Sequence, residues 1–264
     1  MSGPDTSHDV VARLRSAGCV WAEDEAALLA QAAASPADLE RLVARRVAGE
    51  PLETVLGWVE FLGRRLAVGP GVFVPRRRTE LLAREVLARA TSHGARPVVV
   101  EMCCGVAPVA ACLADVAAEG HAADVSAAAL GWARANAPGA ELHHGDLFGA
   151  LPRRLRGRVD VIAANAPYVP TGRIADMPPE ARDHEPHAAL DGGSDGVALH
   201  RRLAAGAARW LAPGGVLLVE TSPSQAHLTT AAMQAGGLTA DVVVDEDIGG
   251  CVAVGVSRAA AARA

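Results

Sequence analysis

The sequence predicts an α/β fold: a mostly parallel sheet covered on both faces by helices, preceded by a small helical region. Three observations carry this prediction. From Pro97 onward, short apolar runs alternate with helix-like segments, as in strands joined by helical crossovers. The first part of the chain instead repeats apolar residues at three- and four-residue spacing. Between them, "GWVEFLGRRLAVGPGVFVP" shows extended pieces around Gly63 and then a Gly-Pro-Gly turn, which predicts a hairpin and an extended linker. The expected division is residues 1–73, helical with the hairpin as linker, and residues 74–264, the sheet domain.

The helical region reads as three segments, "DVVARLRSAG", "DEAALLAQAAA" and "PADLERLVARRVAG". Ser35-Pro36 supplies an N-cap followed by proline at the first helical position. Gly18 and Gly49 stand where helices stop. Thr79 opens a further helix, "TELLAREVLARA". "PVVVEM" follows as a buried strand and "PVAACLADVAA" as a helix. The alternation continues through "HAADV", "SAAALGWARANA", "AELHHGD", "VDVIAANAP", "GVALHRRLAAGAARWL", "GGVLLVET" and "SQAHLTTAAMQAG". "TADVVVDED" and "CVAVGV" come last without a helix between them, which predicts an antiparallel pair at one edge.

Composition narrows the function. Half of the 264 residues are hydrophobic, enough for a sizeable core. No run reaches the roughly 18 to 20 apolar residues of a membrane span, and "MSGPDTSHDV" lacks the pattern of a secretory leader, so a cytoplasmic protein with no membrane partner is expected. Five cysteines, an odd number, fit reduced thiols. The net charge of −5 argues against a nucleic-acid partner. The chain contains no lysine, so its side-chain cations are arginines.

Ligands of open α/β sheets bind beyond the carboxyl ends of the strands. After the first strand comes "EMCCGVAPVA", a turn of small residues that lets a ligand approach the backbone. Asp124 follows the second strand, about 20 residues beyond that turn, where a carboxylate can accept both hydroxyls of a ribose; it could equally cap the next helix, as could Ser126. After the third strand, Asp146 could accept from an adenine amino group, with Leu147 and Phe148 beside the ring. In order on successive strand ends, the three favour a nucleoside. After the fourth strand comes Asn165-Ala166-Pro167-Tyr168. The Asn165 side-chain oxygen and the Ala166 carbonyl can accept the two N–H bonds of a planar nitrogen group. Tyr168 can pack on that group, and Pro167 fixes the loop. No histidine motif accompanies the cysteines, which argues against a nucleophilic thiol. His143-His144 and the His184/His187 pair lack an evident carboxylate or thiol ligand set, so no metal is expected. The run "RRLRGR" reads as a solvated turn.

Asn165-Ala166-Pro167-Tyr168 is one residue from Asn-Pro-Pro-Tyr, the pattern of amino-methyltransferases acting on planar nitrogen. With "EPLETVLGWVEFLGRRLAVGPGVFVPRRRTELL" before it and "EPHAALDGGSDGVALHRRL" and "LAPGGVLLVE" after it, the chain resembles the bacterial HemK-type protein-(glutamine-N5) methyltransferases over most of its length. The resemblance implies a seven-stranded Rossmann-like class I methyltransferase domain, joined by a β-hairpin to a helical N-terminal substrate-recognition domain. It implies S-adenosylmethionine as cofactor and a protein substrate carrying a target glutamine, in the best-known members a peptide release factor with a Gly-Gly-Gln loop. Carried over by position, Glu101 and the loop Cys103, Cys104, Gly105, Val106 and Ala107 would hold the cofactor. Asp124 would take its ribose, with Asp146 and Leu147 beside the adenine and Asn165 at the meeting point with substrate. Asn165, Pro167 and Tyr168 would be catalytic, and Ala166 would complete the substrate clamp. Methylation of another planar nitrogen, in a nucleobase or a small molecule, is the alternative, followed by a non-catalytic binding role. Two departures stand out: Cys103 and Ala107 replace loop glycines, and Ala166 replaces a proline. If those glycines sit at positive φ, each replacement costs on the order of 1 kcal/mol.

Overall fold

A computed structural model describes residues 4–92, 96–116 and 118–258. Helices α1 (Pro4–Ser16), α2 (Ala22–Ala32), α3 (Pro36–Val47) and the short α4 (Leu52–Leu56) form the helical region. The Ser35 hydroxyl accepts from the Asp38 N–H, and Pro36 opens α3, as expected. Gly18 and Gly49 adopt φ of +92° and +95°. Leu14, Leu29, Val43 and Val55 pack in a core that belongs to these helices alone. Its polar centre is Arg46, only 6% exposed. Its guanidinium reaches Glu25 at 2.6 Å and, outside the helical region, Glu180 at 2.6 Å.

Strands β1 (Trp58–Phe61) and β2 (Arg64–Ala67) pair as the expected hairpin. The turn is Leu62-Gly63, with φ of +49° and +72°. Two positive φ values give the mirror-image turn that matches strand twist. Val59, Phe61 and Leu66 bury themselves in the core of the large domain, not in that of the helices. The Asn136 side chain brackets the hairpin end, accepting from Ala67 N at 2.7 Å and donating to Ala67 O at 2.9 Å.

The large domain contains α5 (Glu80–Ser92), β3 (Val98–Met102), α6 (Pro108–Cys112), β4 (Glu119–Asp124), α7 (Ala127–Asn136), β5 (Glu141–His144), β6 (Val159–Ala164), α8 (Pro179–His184), α9 (Ala198–Ala207), β7 (Leu211–Glu220), α10 (Ala226–Ala235), β8 (Thr239–Asp245) and β9 (Gly250–Val256). The seven strands order as β5-β4-β3-β6-β7-β9-β8. The first five are parallel neighbours; β9 lies antiparallel between β7 and β8. Apolar clusters cover both faces, with Val99 and Ala163 in one and Val100 and Ile162 in the other. Successive residues of a strand point to opposite faces, which is why these strands read as continuous apolar runs.

One element differs from expectation. The α6 helix covers a single turn and tightens into a 3-10 turn over Leu113–Asp115. The chain must be back at the sheet by Glu119, which pairs with Val98. The long stretch from Val169 to Leu190, called the lid below, has local structure of its own. It folds into 3-10 turns at Thr171–Asp176 and His187–Ala189 around α8, and is closed by a bridge from Val169 to Asp191.

The strand order reverses between β3 and β6, so the loops leaving these strands diverge and open a crevice at their carboxyl ends. No helix among the described residues is long and apolar enough to cross a membrane. Replacing Arg46 with alanine leaves the buried Glu25 carboxylate without its partner. Urea unfolding of Arg46→Ala should show a loss of about 3 kcal/mol; a change below about 0.5 kcal/mol would mean that the pair is energetically idle.

Candidate active site

A cavity of about 190 Å³ occupies the crevice. Its floor is the Cys103–Val106 stretch of the loop after β3, and its walls include Asp124, Leu147, Asn165 and Tyr168. The linker residues Val72, Phe73 and Pro75 and the lid residues Met177, Pro186 and Leu190 close it from outside.

The β3 loop alternates handedness. Cys103, Gly105 and Ala107 have φ of +52°, +54° and +60°. Both non-glycine replacements therefore occupy the strained region. A Cβ placed on Gly105 would meet nothing within 4 Å, so the backbone there faces open space. Asp124 stabilises the turn: its Oδ2 accepts from Gly105 N at 2.8 Å and its Oδ1 from Ser126 N at 2.8 Å. Each oxygen keeps a further lone pair. Ser126, not Asp124, caps α7. Glu101 lies beneath the loop and accepts from Val109 N and Ala110 N at 3.2 and 2.7 Å. Burial pushes its carboxyl up to about 8, against the pull of those two amides.

Burial also pushes the Cys103 thiol to about 12 and the Cys104 thiol well above its ordinary value. Neither supplies a thiolate nucleophile near neutral pH. On the far wall, Leu147 sits at φ +45° and lines the cavity. Asp146 also lines it, and its carboxylate pairs with Arg202 at 2.6 Å. Phe148, expected beside Leu147, turns away and stacks on Trp210 with ring centroids 5.7 Å apart. The close fit of its ring against Gly206, where a Cβ would come within 2.5 Å, explains the choice.

Asn165 follows β6 directly, and its neighbours decide how its amide is presented. Its Nδ2 donates to the Thr79 hydroxyl at 3.2 Å, which leaves Oδ1 as the acceptor. The Tyr168 hydroxyl accepts from Arg78 Nε at 2.8 Å and donates to Glu220 Oε1 at 3.2 Å. Burial, followed by the Glu220 charge, raises the phenol to about 12. Tyr168 therefore remains protonated. Glu220 ends β7 and is buried; burial raises its carboxyl, while the Thr79 hydroxyl, Arg78 and Tyr168 draw it back. The register aligns Ala164 with Val219, so Asn165 and Glu220 leave the sheet side by side. The Tyr168 backbone carbonyl accepts from Gln225 Nε2 at 2.8 Å. Buried His200 tilts against the Tyr168 ring, and burial pulls its imidazole down to about 4.

The fold thus gathers Glu101, the Cys103–Val106 loop, Asp124, Asp146, Leu147 and the Asn165–Tyr168 segment around one cavity, with Ala107 shaping the loop from just behind. Sequence reading missed Arg78, Thr79 and Glu220 as members of the site. Glu220 was within reach of the strand-end rule, since "GGVLLVE" ends on a carboxylate. The role of Thr79 depends on a contact across 86 positions and leaves no local signal.

No family model matches the chain. A release factor glutamine methyltransferase of Bradyrhizobium diazoefficiens is 35% identical over 96% of this chain and 92% of its own length. One from Streptomyces coelicolor is 41% identical over 70% of this chain and 67% of its own length. The chain belongs to the HemK-type release factor glutamine methyltransferase family. Members of this family are S-adenosylmethionine-dependent methyltransferases. A second kind of relative, the 4-amino-L-phenylalanine/4-methylamino-L-phenylalanine methyltransferase of Streptomyces pristinaespiralis, is 39% identical over 74% of this chain and 69% of its own length. Among solved structures, a methyltransferase from Pyrococcus furiosus shares the fold with a TM-score of 0.56 at 16% identity, covering 81% of this chain and 97% of its own. A Thermus thermophilus 16S rRNA N2 G1207 methyltransferase does so with a TM-score of 0.54 at 20% identity, covering 76% of this chain and 50% of its own.

Two expectations follow. Ala107→Gly removes a left-handed alanine and should raise stability by about 0.5–1 kcal/mol, the strain relieved less the added freedom of the unfolded chain; thermal unfolding measures it, and a loss would mean that the alanine methyl contributes more by packing. The second concerns pH. Glu101 holds its proton up to about 8 in the folded protein, against 4.5 ordinarily. Between those values the native state binds a proton that the unfolded chain has released, so this contribution is complete at the acid end and is lost as pH rises through about 8. Glu101→Gln should flatten that decline in a pH series of denaturant midpoints. Identical slopes for the two proteins would contradict the assignment.

Proposed function

We propose that this protein transfers a methyl group from S-adenosylmethionine to the side-chain nitrogen of a glutamine in a protein, with a peptide release factor as the substrate. The observation that carries this reading is the fixed orientation of Asn165. Its Nδ2 is committed to Thr79, so Oδ1 stands as an acceptor on the wall of the cavity whose floor is the Gly105 loop.

The cavity suits the cofactor in three respects. Backbone at Gly105 is open to close approach, and the two Asp124 oxygens retain acceptor capacity for a pair of hydroxyls. Leu147 offers an apolar wall for a base, with the free lone pairs of Asp146 at its edge. When bound, S-adenosylmethionine supplies an electrophilic methyl group. The protein's part is to make a poor nucleophile attack. An amide nitrogen delocalises its lone pair. Asn165 Oδ1 accepts one of its N–H bonds and the Ala166 carbonyl the other, which orients the nitrogen and enriches it in charge. Tyr168 supports the planar group, while Pro167 restricts the loop. A nitrogen that had received the methyl group would shed its extra proton to solvent. Tyr168, with its phenol raised to about 12, does not act as the base, and none is required before attack. Positioning supplies most of the rate.

The helical region, residues 1–73 with the hairpin, is proposed as the surface that recognises the protein substrate. Val20 and Trp21 are exposed between α1 and α2, an apolar pair suited to a partner. Arg46 joins this region to the lid through Glu180.

A second reading has its own support. The relative from Streptomyces pristinaespiralis carries a name that specifies an aromatic amine, and the outer cavity wall here is Phe73, Pro75, Met177, Pro186 and Leu190. An aniline nitrogen is planar and can use the same two acceptors.

One assay separates the readings. Labelled S-adenosylmethionine is offered with a release factor and, separately, with 4-amino-phenylalanine. Label on the glutamine of the release factor is expected. Asn165→Ala should lower kcat/KM by about 100-fold or more through lost positioning. Thr79→Val should lower it roughly tenfold, the value of one hydrogen bond of about 1–1.5 kcal/mol. Label on the amine alone would select the second reading. No transfer to either, with no heat of cofactor binding, would dismiss both.

A further inference from the structure

Away from the cavity, four polar side chains meet on one face of the sheet at its β4–β5 edge. Glu119 and His121 stand two residues apart on β4, Glu141 and His143 two apart on β5, and the register pairs His121 with Glu141. A spacing of two keeps each pair on a single face. His121 is 1% exposed. Its Nε2 lies 3.1 Å from the Glu119 carboxylate. Its Nδ1 lies 3.1 Å from His143 Nε2 and 3.6 Å from Glu141 Oε2. The two imidazoles stack with centroids 5.3 Å apart.

The plain account is a hydrogen-bonded network in which His143 donates to His121 while Arg154 pairs with Glu141. The geometry goes further than that account requires. With Nε2–H donated to Glu119, His121 directs the Nδ1 lone pair toward both His143 and Glu141. One donor atom from each of His121, His143 and Glu141 falls within 4.8 Å of the others. Ligand atoms around a tetrahedral zinc, with bonds of about 2.0–2.1 Å, stand about 3.3–3.4 Å apart. The distances from His121 Nδ1, 3.1 and 3.6 Å, fall on either side of that value.

We propose that His121, His143 and Glu141 form a binding site for a divalent transition-metal ion, of which zinc is the best fit. Two imidazoles and a carboxylate suit a borderline ion; magnesium and calcium prefer oxygen ligands throughout. Glu119 supplies the carboxylate behind a ligating histidine that fixes its tautomer and makes it more basic. On binding, His143 takes the tautomer with its proton on Nδ1, which frees the Nε2 lone pair for the ion. Arg154, half exposed, keeps one oxygen of Glu141 or moves into solvent. Glu141 is exposed and His143 only half-buried, so water can fill the fourth position. The ion would clasp edge strand β5 to β4, directly before the Gly145–Leu147 turn that lines the cavity.

The test uses the full chain, freed of metal by chelation, titrated with Zn²⁺ by calorimetry and with Co²⁺ by visible absorption. One equivalent is expected to bind, with the absorption of a nitrogen- and oxygen-ligated tetrahedral cobalt and a rise in Tm, because the ion favours the folded state. His143→Gln should abolish that uptake, and Glu119→Gln should weaken it on the order of 10-fold. Circular dichroism of the variants confirms folding, and Glu141→Gln, at an exposed position, provides a second ligand deletion that leaves the core untouched. No uptake by the wild type would overturn the proposal. Uptake by His143→Gln and Glu141→Gln as tight as that of the wild type would overturn it equally, by placing the ion elsewhere.

Discussion

The site depends on one buried carboxylate. Glu220, at the end of β7, takes the Tyr168 hydroxyl and the Arg78 guanidinium, and it interacts with the Thr79 hydroxyl that in turn receives the Asn165 amide. Both ends of the Asn165–Tyr168 segment are thereby referred to the same residue. The parallel register of β6 and β7 makes this possible by setting Asn165 beside Glu220. A free asparagine could present either face of its amide. Held by Thr79, it presents oxygen. On the proposed function, selectivity for a nitrogen that carries hydrogens would then follow from a hydrogen-bond chain rooted in the sheet. The carboxylate must itself be buried for the chain to be rigid, and its arginine partner offsets the cost of that burial.

The loop after β3 shows how far a fold can tolerate unfavourable residues at its functional centre. Three of its positions are left-handed and only one of them is glycine. The loop persists because its surroundings fix it: Asp124 anchors Gly105, Asn136 anchors the Val106 carbonyl, and Cys104 N donates to Ala123 O in the next strand. Strain at Cys103 and Ala107 is the local cost of a backbone shape imposed from outside. The alanine at position 166 carries no such strain. It is fully buried, and in the proposed clamp the position would contribute its carbonyl whichever residue occupies it.

Much of this was legible in the sequence, for physical reasons. Strands β3, β6 and β7 are buried on both faces, so they appear as apolar runs that nothing else resembles. The Asn165–Tyr168 segment is contiguous, and the Gly105 loop, Asp124 and Asp146 fall in order on successive strand ends. What stayed hidden depends on partners distant in sequence. Thr79 reads as the start of a helix until β6 delivers Asn165 to it. Phe148 reads as a wall of the cavity until Gly206 offers a flat place for its ring. His143 meets His121 only through the pairing of β4 with β5, because its own neighbours on the chain say nothing about that strand. The length of α6 was overread, since its alanine-rich composition favours helix while the return to the sheet limits it.

The hairpin gives the molecule a further property. Its apolar residues belong to the large core, while the helices before Gly57 keep a core of their own. The seam between the two lies at that glycine, whose φ of +82° turns the chain between α4 and β1. Across the seam, Arg46 pairs with Glu180 at 2.6 Å. Such a chain is modular in the engineering sense. On the proposed function, the head that meets the substrate could change while the body that moves the methyl group stays as it is.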